Sequence, residues 1–471
     1  MRNQNTFVSL DIGTTSIKVV VAEEINGQVN IIGVGNERAQ GLSRGVIVDI
    51  DTTAEAVRRA VHQAEQKANV SIQEVAVGVP SNQLAIETVH GMIAVASENR
   101  EITSVDVDNV IQAARTRSIP PEREVLSIKP EEFIVDGFSG IRDPRGMIGV
   151  RLELYASLIT GPKTIIHNIR RVIRQAGLKI NELVLQPEAI AELALSSDEK
   201  NFGTVIIDMG GGKTSASIYY DGQLKYSYVN QEGGDYVTKD ISIILNTSEE
   251  SAERLKREYG YAIASQTSDE EYFPVETVGK EDPVRVDEHY LAEIIEARMR
   301  QIFQTLLDEL DKIDALDLPG GFVITGGGAT LPGVIDLAQE YFGERVRLFI
   351  PEQMGVRNPI YTTSVGISHY VAALDDIHRI AQGTYQIDRQ ATQQPGASLP
   401  PQQAAPQARS HVQPNVRAEK QETAPGYNDY QASNQSDYYE EIEPVVQRNK
   451  GQGKFSQFIE KIKAFFESFF D

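Results

Sequence analysis

The feature that most restricts the fold of this chain is a local design that occurs twice. In FVSLDIGTTSIKVVVAE, residues 7–23, an apolar strand ends at Asp11, a Gly-Thr-Thr-Ser turn follows, and a second apolar strand leads away. In FGTVIIDMGGGKTSASIYYDGQL, residues 202–224, the same order returns: strand, Asp208, Gly210, Gly211 and Gly212, Lys213, Thr214, strand. Each reads as a β-hairpin whose mouth fits an anion. Gly13 lets backbone approach closely, Thr14, Thr15 and Ser16 offer hydroxyl and amide donors, and Lys18 and Lys213 add positive charge. A single such hairpin could equally be a tight turn with a leading aspartate, but a chance pair is far rarer than a chance single. The pair predicts two related lobes that clamp a nucleotide's phosphates, with Asp11 and Asp208 flanking one magnesium ion that keeps part of its water shell. Neither hairpin is a Walker loop or a dinucleotide fingerprint, because both of those open a helix.

A third motif, GGFVITGGGATLPGV, runs an apolar strand into Gly326, Gly327 and Gly328, with a helix expected after Pro332. Alone it would be a strand-to-helix turn. Following both hairpins, it reads as backbone bared for a flat adenosine.

At 471 residues the chain exceeds what one hydrophobic core supports, so at least two lobes are expected. No apolar run is long enough to cross a bilayer. The N-terminus lacks a charged-then-apolar leader with a small-residue cleavage site, so secretion is not expected. Without cysteine there is no disulfide framework and no thiolate ligand or nucleophile. The net charge of -22 argues against nucleic-acid binding, and no local basic patch stands out in the sequence to reverse that.

Residues 6–382 alternate β-branched runs, helical periodicity and glycine punctuation, the pattern of α/β lobes. From 383 to 453 glutamine, proline and serine dominate and phenylalanine is absent, which predicts a disordered linker spanning ~45 to 50 Å as a flexible coil. In residues 454–471 apolar side chains recur at helical spacing: Phe455, Phe458, Ile459, Ile462, Phe465, Phe466, Phe469 and Phe470. At ~1.5 Å per residue this amphipathic helix is too short and too charged on its other face to span a bilayer, and it suits a membrane interface. Docking on the protein's own body or on a partner groove would satisfy the same periodicity.

The order and spacing of the three glycine motifs resemble the ATPase superfamily of actin, sugar kinases and heat-shock chaperones, whose signatures are named phosphate one, phosphate two and adenosine. The resemblance implies a two-lobed actin-like (ribonuclease H-like) fold that binds ATP and Mg2+. LVLQPEAIAEL resembles the superfamily's first connecting helix, which puts Gln186 where a polar residue orients the water attacking the terminal phosphate; Asp208 joins it as the second residue assigned to catalysis. SAERLKREYG looks like the helix whose Glu253 and Lys256 hold ribose and adenine. QEGGDYVTKDI resembles the loop that brings Gly233 and Gly234 near ribose, and TSVGISHYVAAL the second connecting helix. A sugar kinase's substrate aspartate has no convincing counterpart here, and a chaperone's β-rich peptide-binding domain is missing.

Within the superfamily, GLSRGVIVDIDTTAEAVRRAVHQAE resembles the segment after the first hairpin in the FtsA family of bacterial cell-division proteins, and the terminal helix extends the likeness. That family implies a first lobe of residues 6–83 with 162–202 and 359–382, a relocated small subdomain at 84–161, a second lobe of 203–231 with 300–358, and a fourth subdomain at 232–299. It implies slow or negligible ATP turnover, homopolymer formation, contact with other division proteins, and a peripheral place on the cytoplasmic face of the membrane at the septum. HYLAEIIEARMRQIFQTLLDEL resembles the family helix that receives the C-terminal peptide of the tubulin-like FtsZ, with Arg298 at a matching arginine. An actin-like adaptor of a pilus or secretion machine, or a small-molecule kinase of the same fold, are the alternatives.

Overall fold

The computed structural model describes residues 6–43, 45–116, 119–279 and 282–383. The expected linker beyond Gly383 and the terminal helix, with all eight of its named apolar residues, lie outside the described residues.

Two five-stranded sheets share one topology. In the first, Thr6–Ile12 pairs antiparallel with Ser16–Ile25, which pairs antiparallel with Gln28–Arg38; on its other edge Thr6–Ile12 runs parallel to Glu74–Val79 and that strand parallel to Lys179–Leu185. In the second, Thr204–Met209, Thr214–Tyr220 and Gln223–Asn230 form the antiparallel run, and Phe322–Thr325 and Val346–Leu348 add the parallel strands. Each hairpin motif thus supplies the first two strands of its own sheet. The strands nearest the centre are nearly continuous apolar runs because helices cover the sheets.

On the first sheet lies the helix Ile50–Ala68, capped by the Asp49 carboxylate accepting from Thr52 N at 3.1 Å, with Ala54, Val57, Ala60, Val61 and Ala64 turned inward. Helix Lys163–Gln175 packs beside it through Ile169, Val172 and Ile173. The sheets are joined by two crossing helices, Gln186–Ala194 and Thr362–Ala373. They approach so closely at Gly366 that a Cβ there would lie 2.2 Å from the Ala189 carbonyl oxygen.

Between the strands Glu74–Val79 and Lys179–Leu185 the chain makes a separate layer: the sheet Ala85–Ala94, Arg151–Pro162, Arg123–Val135 and Phe138–Ile141, covered by helix Ser104–Arg115. Its core includes Val107, Ile111, Ile128, Phe133 and Leu154. This core has an unexpected contributor. Ile377, Ile380 and Ala381 of the helix Asp376–Gln382 are buried in it, and Arg145 reaches Asp376 at 3.4 Å. Residues 376–382 therefore bury their apolar face in the inserted layer and not in the first lobe, to which the sequence division gave them, while the Gln382 side chain reaches back to the first sheet at Glu182. Their apolar face finds a better-matched surface there.

Helices Gly234–Ile244 and Glu249–Tyr259 and the short hairpin Tyr272–Val275 with Val284–Asp287 stand on the second sheet's side. Helix Glu288–Asp311 leaves this region and runs into the second lobe without a break, crossing the boundary expected between 299 and 300. Leu291, Ile295, Met299, Phe303 and Leu306 form one buried stripe along it, so no residue at that boundary could end the helix.

Candidate functional site

Both hairpins close with the same turn. Gly13 N donates to Ser16 O at 3.1 Å, and Gly210 N donates to Lys213 O at 2.9 Å. The two tips meet across the cleft between the sheets. A Cβ on Gly211 would lie 2.2 Å from Thr15 Cγ2 and one on Gly212 2.5 Å from Thr14 Cγ2, so the missing side chains on one tip make room for the threonines of the other.

Behind the tips is a buried polar chain. Lys18 Nζ lies 3.4 Å from Asp11 Oδ2, Gln186 Nε2 donates to Asp11 Oδ1 at 2.9 Å, and Lys213 Nζ donates to Gln186 Oε1 at 3.4 Å and to Asn82 Oδ1 at 3.0 Å. Gln186, at the start of its connecting helix, therefore bridges the aspartate of one hairpin to the lysine of the other. Asp208 has no such network and makes no hydrogen bond among the described residues. Burial pushes its carboxyl up to about 6, opposed by Lys213 and reinforced by the Asp11 charge. Burial likewise brings Lys213 down to about 8 against the pull of Asp208 and Asp11. Asp208 and Lys213 thus share a site that penalises the charge of each.

The glycine motif that follows the strand Phe322–Thr325 stands against the second hairpin. Gly326 adopts φ +93, and a Cβ on it would be 2.4 Å from Asp208 Oδ1 and 2.6 Å from Met209 O. Only glycine combines that dihedral with that contact. Gly327 begins a single 3-10 turn, Gly328 abuts Met209, and the helix expected after Pro332 is Val334–Phe342.

Opposite, Gly234 N donates to Gly210 O at 3.0 Å and Asp235 N to Gly211 O at 2.8 Å, fixing the Gly233-Gly234 loop to the second hairpin. Lys256 Nζ binds Gly234 O at 2.9 Å, Thr238 Oγ1 at 2.7 Å and Glu253 Oε2 at 2.6 Å. Thr214 Oγ1 donates to Glu232 O at 2.9 Å, tying the same loop down from beneath. The residues anticipated for phosphate, ribose and adenine are thus gathered around the second hairpin.

Arg298 lies apart from the cleft's polar chain. Its Nε and Nη2 donate to the two Asp240 oxygens at 2.6 and 3.0 Å, and its Nη1 reaches Glu232 at 3.3 Å and Gln301 at 2.7 Å. The guanidinium, raised above its usual pKa by Asp240, is already engaged within its own lobe. Another carboxylate could pair with it only by displacing Asp240 or Glu232.

Sequence reasoning missed Asn82 and Thr238. Asn82 ends the Val-Pro-Ser-Asn run after the strand Glu74–Val79, and only the fold brings it 131 residues back to Lys213. Thr238 sits one turn after Gly234, a spacing that could have flagged it.

The donor set fits hydrated magnesium on a polyphosphate. Asp11 and Asp208 face one cleft with no third acid, histidine or thiol grouped as a metal cage among the described residues, and magnesium is commonly held by one or two carboxylates together with substrate phosphates.

Two sheets of one topology with their hairpin tips facing across a cleft define an actin-like protein. The solved PilM-PilN type IV pilus biogenesis complex has this fold, matching with a TM-score of 0.55 at 14% identity over 78% of this chain and 99% of that one. The model of the cell division protein FtsA matches residues 205–366, and that of the SHS2 domain inserted in FtsA matches residues 81–160. The chain is 51% identical to the cell division protein FtsA of Enterococcus faecalis over 100% of both chains, and 56% identical to that of Enterococcus hirae over 81% of this chain and 86% of its relative. It belongs to the FtsA family of cell-division proteins.

Proposed function

We propose that the chain binds ATP with magnesium between its two hairpins, assembles with copies of itself, and tethers FtsZ filaments to the inner face of the cytoplasmic membrane at the division site. The observation that carries this reading is the meeting of the two hairpin tips, with Asp11, Gln186 and Lys213 chained behind them. Phosphates enter between the tips and contact the amides and hydroxyls of Thr14 to Ser16 on one side and the amides of Gly210 to Lys213 on the other. Asp11 and Asp208 would hold the magnesium, which would offset the charge of the phosphate oxygens. Gly326 to Gly328 receive adenosine, while Lys256, Glu253, Gly233 and Gly234 hold ribose and adenine.

Gln186 positions water, but its amide is occupied at both ends by Asp11 and Lys213. That supports a nucleotide switch with slow turnover at most. The inserted subdomain supplies the contact between copies, and the fourth region receives the FtsZ tail peptide near Arg298 by exchange at its guanidinium. No described helix is long and apolar enough to cross a membrane. The terminal helix inserts its phenylalanines into one leaflet, each contributing at most ~1.5 to 3 kcal/mol, and a row of copies multiplies the attachment.

Liposome co-sedimentation of the full chain and of a chain ending at residue 453, each with and without FtsZ, tests the tether. FtsZ should pellet only with the full chain. FtsZ pelleting equally with both would sink the anchor, and failure of Arg298→Glu to weaken binding of the FtsZ tail peptide would remove that residue from the partner site. A pull-down that recovers a pilus or secretion protein instead of FtsZ would favour the adaptor reading.

A further inference from the structure

The sequence reading found no basic patch, but the fold gathers one. Helix Lys163–Gln175 buries Ile166, Ile169, Val172 and Ile173 and turns Lys163, His167, Arg170, Arg171 and Arg174 to solvent, all on one face. At ~1.5 Å per residue the stripe runs ~16 Å. Aspartate and glutamate make up 67 of the 471 residues, yet residues 163–181 hold none, so the stripe has no acid of its own to offset it. In linear sequence the basic residues are diluted by the buried isoleucines, and only helical spacing lines them up.

The surroundings neutralise part of the stripe. Arg170 pairs with Glu124 at 2.5 Å, Lys179 on the next strand lies in register with Glu74, and Asp51 of the adjacent helix is engaged by the Gln175 side chain. Lys163, Arg171 and Arg174 form no ion pair among the described residues.

The last described helix ends against the strand that follows the stripe in the chain. In its better-bonded orientation the Gln382 amide donates to both oxygens of Glu182, at 2.9 and 2.7 Å. Glu182 lies on the strand Lys179–Leu185, three residues (~10 Å) from Lys179. The amphipathic segment 454–471 has nearly balanced charge, Lys454, Lys461 and Lys463 against Glu460, Glu467 and Asp471, and offers little attraction to an anionic surface by itself.

We propose that the exposed basic face of helix Lys163–Gln175 docks on anionic lipid headgroups and supplies the electrostatic half of membrane attachment. The proposal rests on the membrane reading above. Its exposed residues include no apolar anchor, so the face offers charge without the fitted contacts that give a bound peptide its register. A diffuse layer of phosphates needs no such fit. Nucleic acid, held by no second attachment, is repelled by the rest of the chain.

The test is sedimentation of the full chain and of Arg171→Gln/Arg174→Gln with vesicles of phosphatidylcholine alone and of phosphatidylcholine mixed with phosphatidylglycerol. Both arginines are exposed, so thermal melts of the two proteins should coincide. The wild type should bind mixed vesicles more tightly than neutral ones, and the variant should lose about thirtyfold on mixed vesicles at low salt, about fivefold per charge, with neutral binding unchanged. Wild-type binding that is equal on the two vesicles, or an anionic preference retained in full by the variant, overturns the proposal while leaving the terminal anchor standing. Failure of the wild type to bind either vesicle overturns both. A variant that keeps its anionic preference but loses binding to an acidic peptide assigns the face to a protein instead.

Discussion

Asp208→Asn puts the electrostatics of the cleft to a quantitative test. Burial holds the Asp208 carboxyl at about 6 against an ordinary 3.8. Between those values the folded chain binds more protons than the unfolded chain, so stability falls as pH rises from about 4 to about 6, and the penalty is fully present above that. A shift of about two units corresponds to about 3 kcal/mol as an upper bound. Lys213 has the opposite sign. Held at about 8 against 10.5, it costs the fold in full below about 8 and is relieved as pH rises further. The ligand-free protein should therefore have a stability trough between about pH 6 and 8, where both charges are present. Asn keeps the shape of Asp208 without its charge, so at pH 7 the variant should be more stable than wild type by about 1 to 3 kcal/mol. The gain stays below the bound because Lys213 loses its main counter-charge. Urea denaturation from pH 4 to 9, without nucleotide, reads this directly. Magnesium nucleotide should stabilise the wild type and have much less effect on the variant. A variant less stable than wild type by more than about 1 kcal/mol at pH 7, with its pH profile unchanged, would refute the reasoning.

Gly326→Ala forces a side chain into φ +93 and against Asp208, so nucleotide affinity should drop at least about tenfold by calorimetry; wild-type affinity would show that the loop does not approach Asp208. Lys129 on the inserted layer lies 2.8 Å from Glu188, a buried residue two positions past Gln186. Lys129→Met should cost about 3 kcal/mol in denaturant melts by stranding that carboxylate, and Lys129→Met/Glu188→Met should recover most of it; additive losses would mean the pair is not coupled. Ile380→Ala should cost about 2 to 4 kcal/mol and speed hydrogen exchange in Arg123–Val135, whereas faster exchange confined to the first sheet would contradict its place in the inserted core.

The sequence revealed both hairpins because each is a local pattern: Asp11 and Gly13, or Asp208 and Gly210, are two residues apart on one strand and turn. The connecting helix starting at Gln186 came from resemblance, since a Gln-Pro helix start has no chemistry of its own. What stayed hidden depends on distant contacts. Asn82 acquires its role only when Lys213 folds back onto it, and Arg298 reads as a free arginine until Asp240, 58 residues away, closes on it. The docking of Ile377 and Ile380 on the inserted layer was equally invisible, because an amphipathic turn announces an apolar face and not which surface covers it.

The central claim is that one polyphosphate lies between the two hairpins. A crystal structure of the chain with magnesium and a non-hydrolysable ATP analogue tests it most directly. The account predicts phosphates bracketed by Thr14 to Ser16 and Gly210 to Lys213, with the metal on the side of Asp11 and Asp208 and the base against Gly326 to Gly328. Nucleotide bound elsewhere, or hairpin tips still in contact at saturating nucleotide, would contradict it.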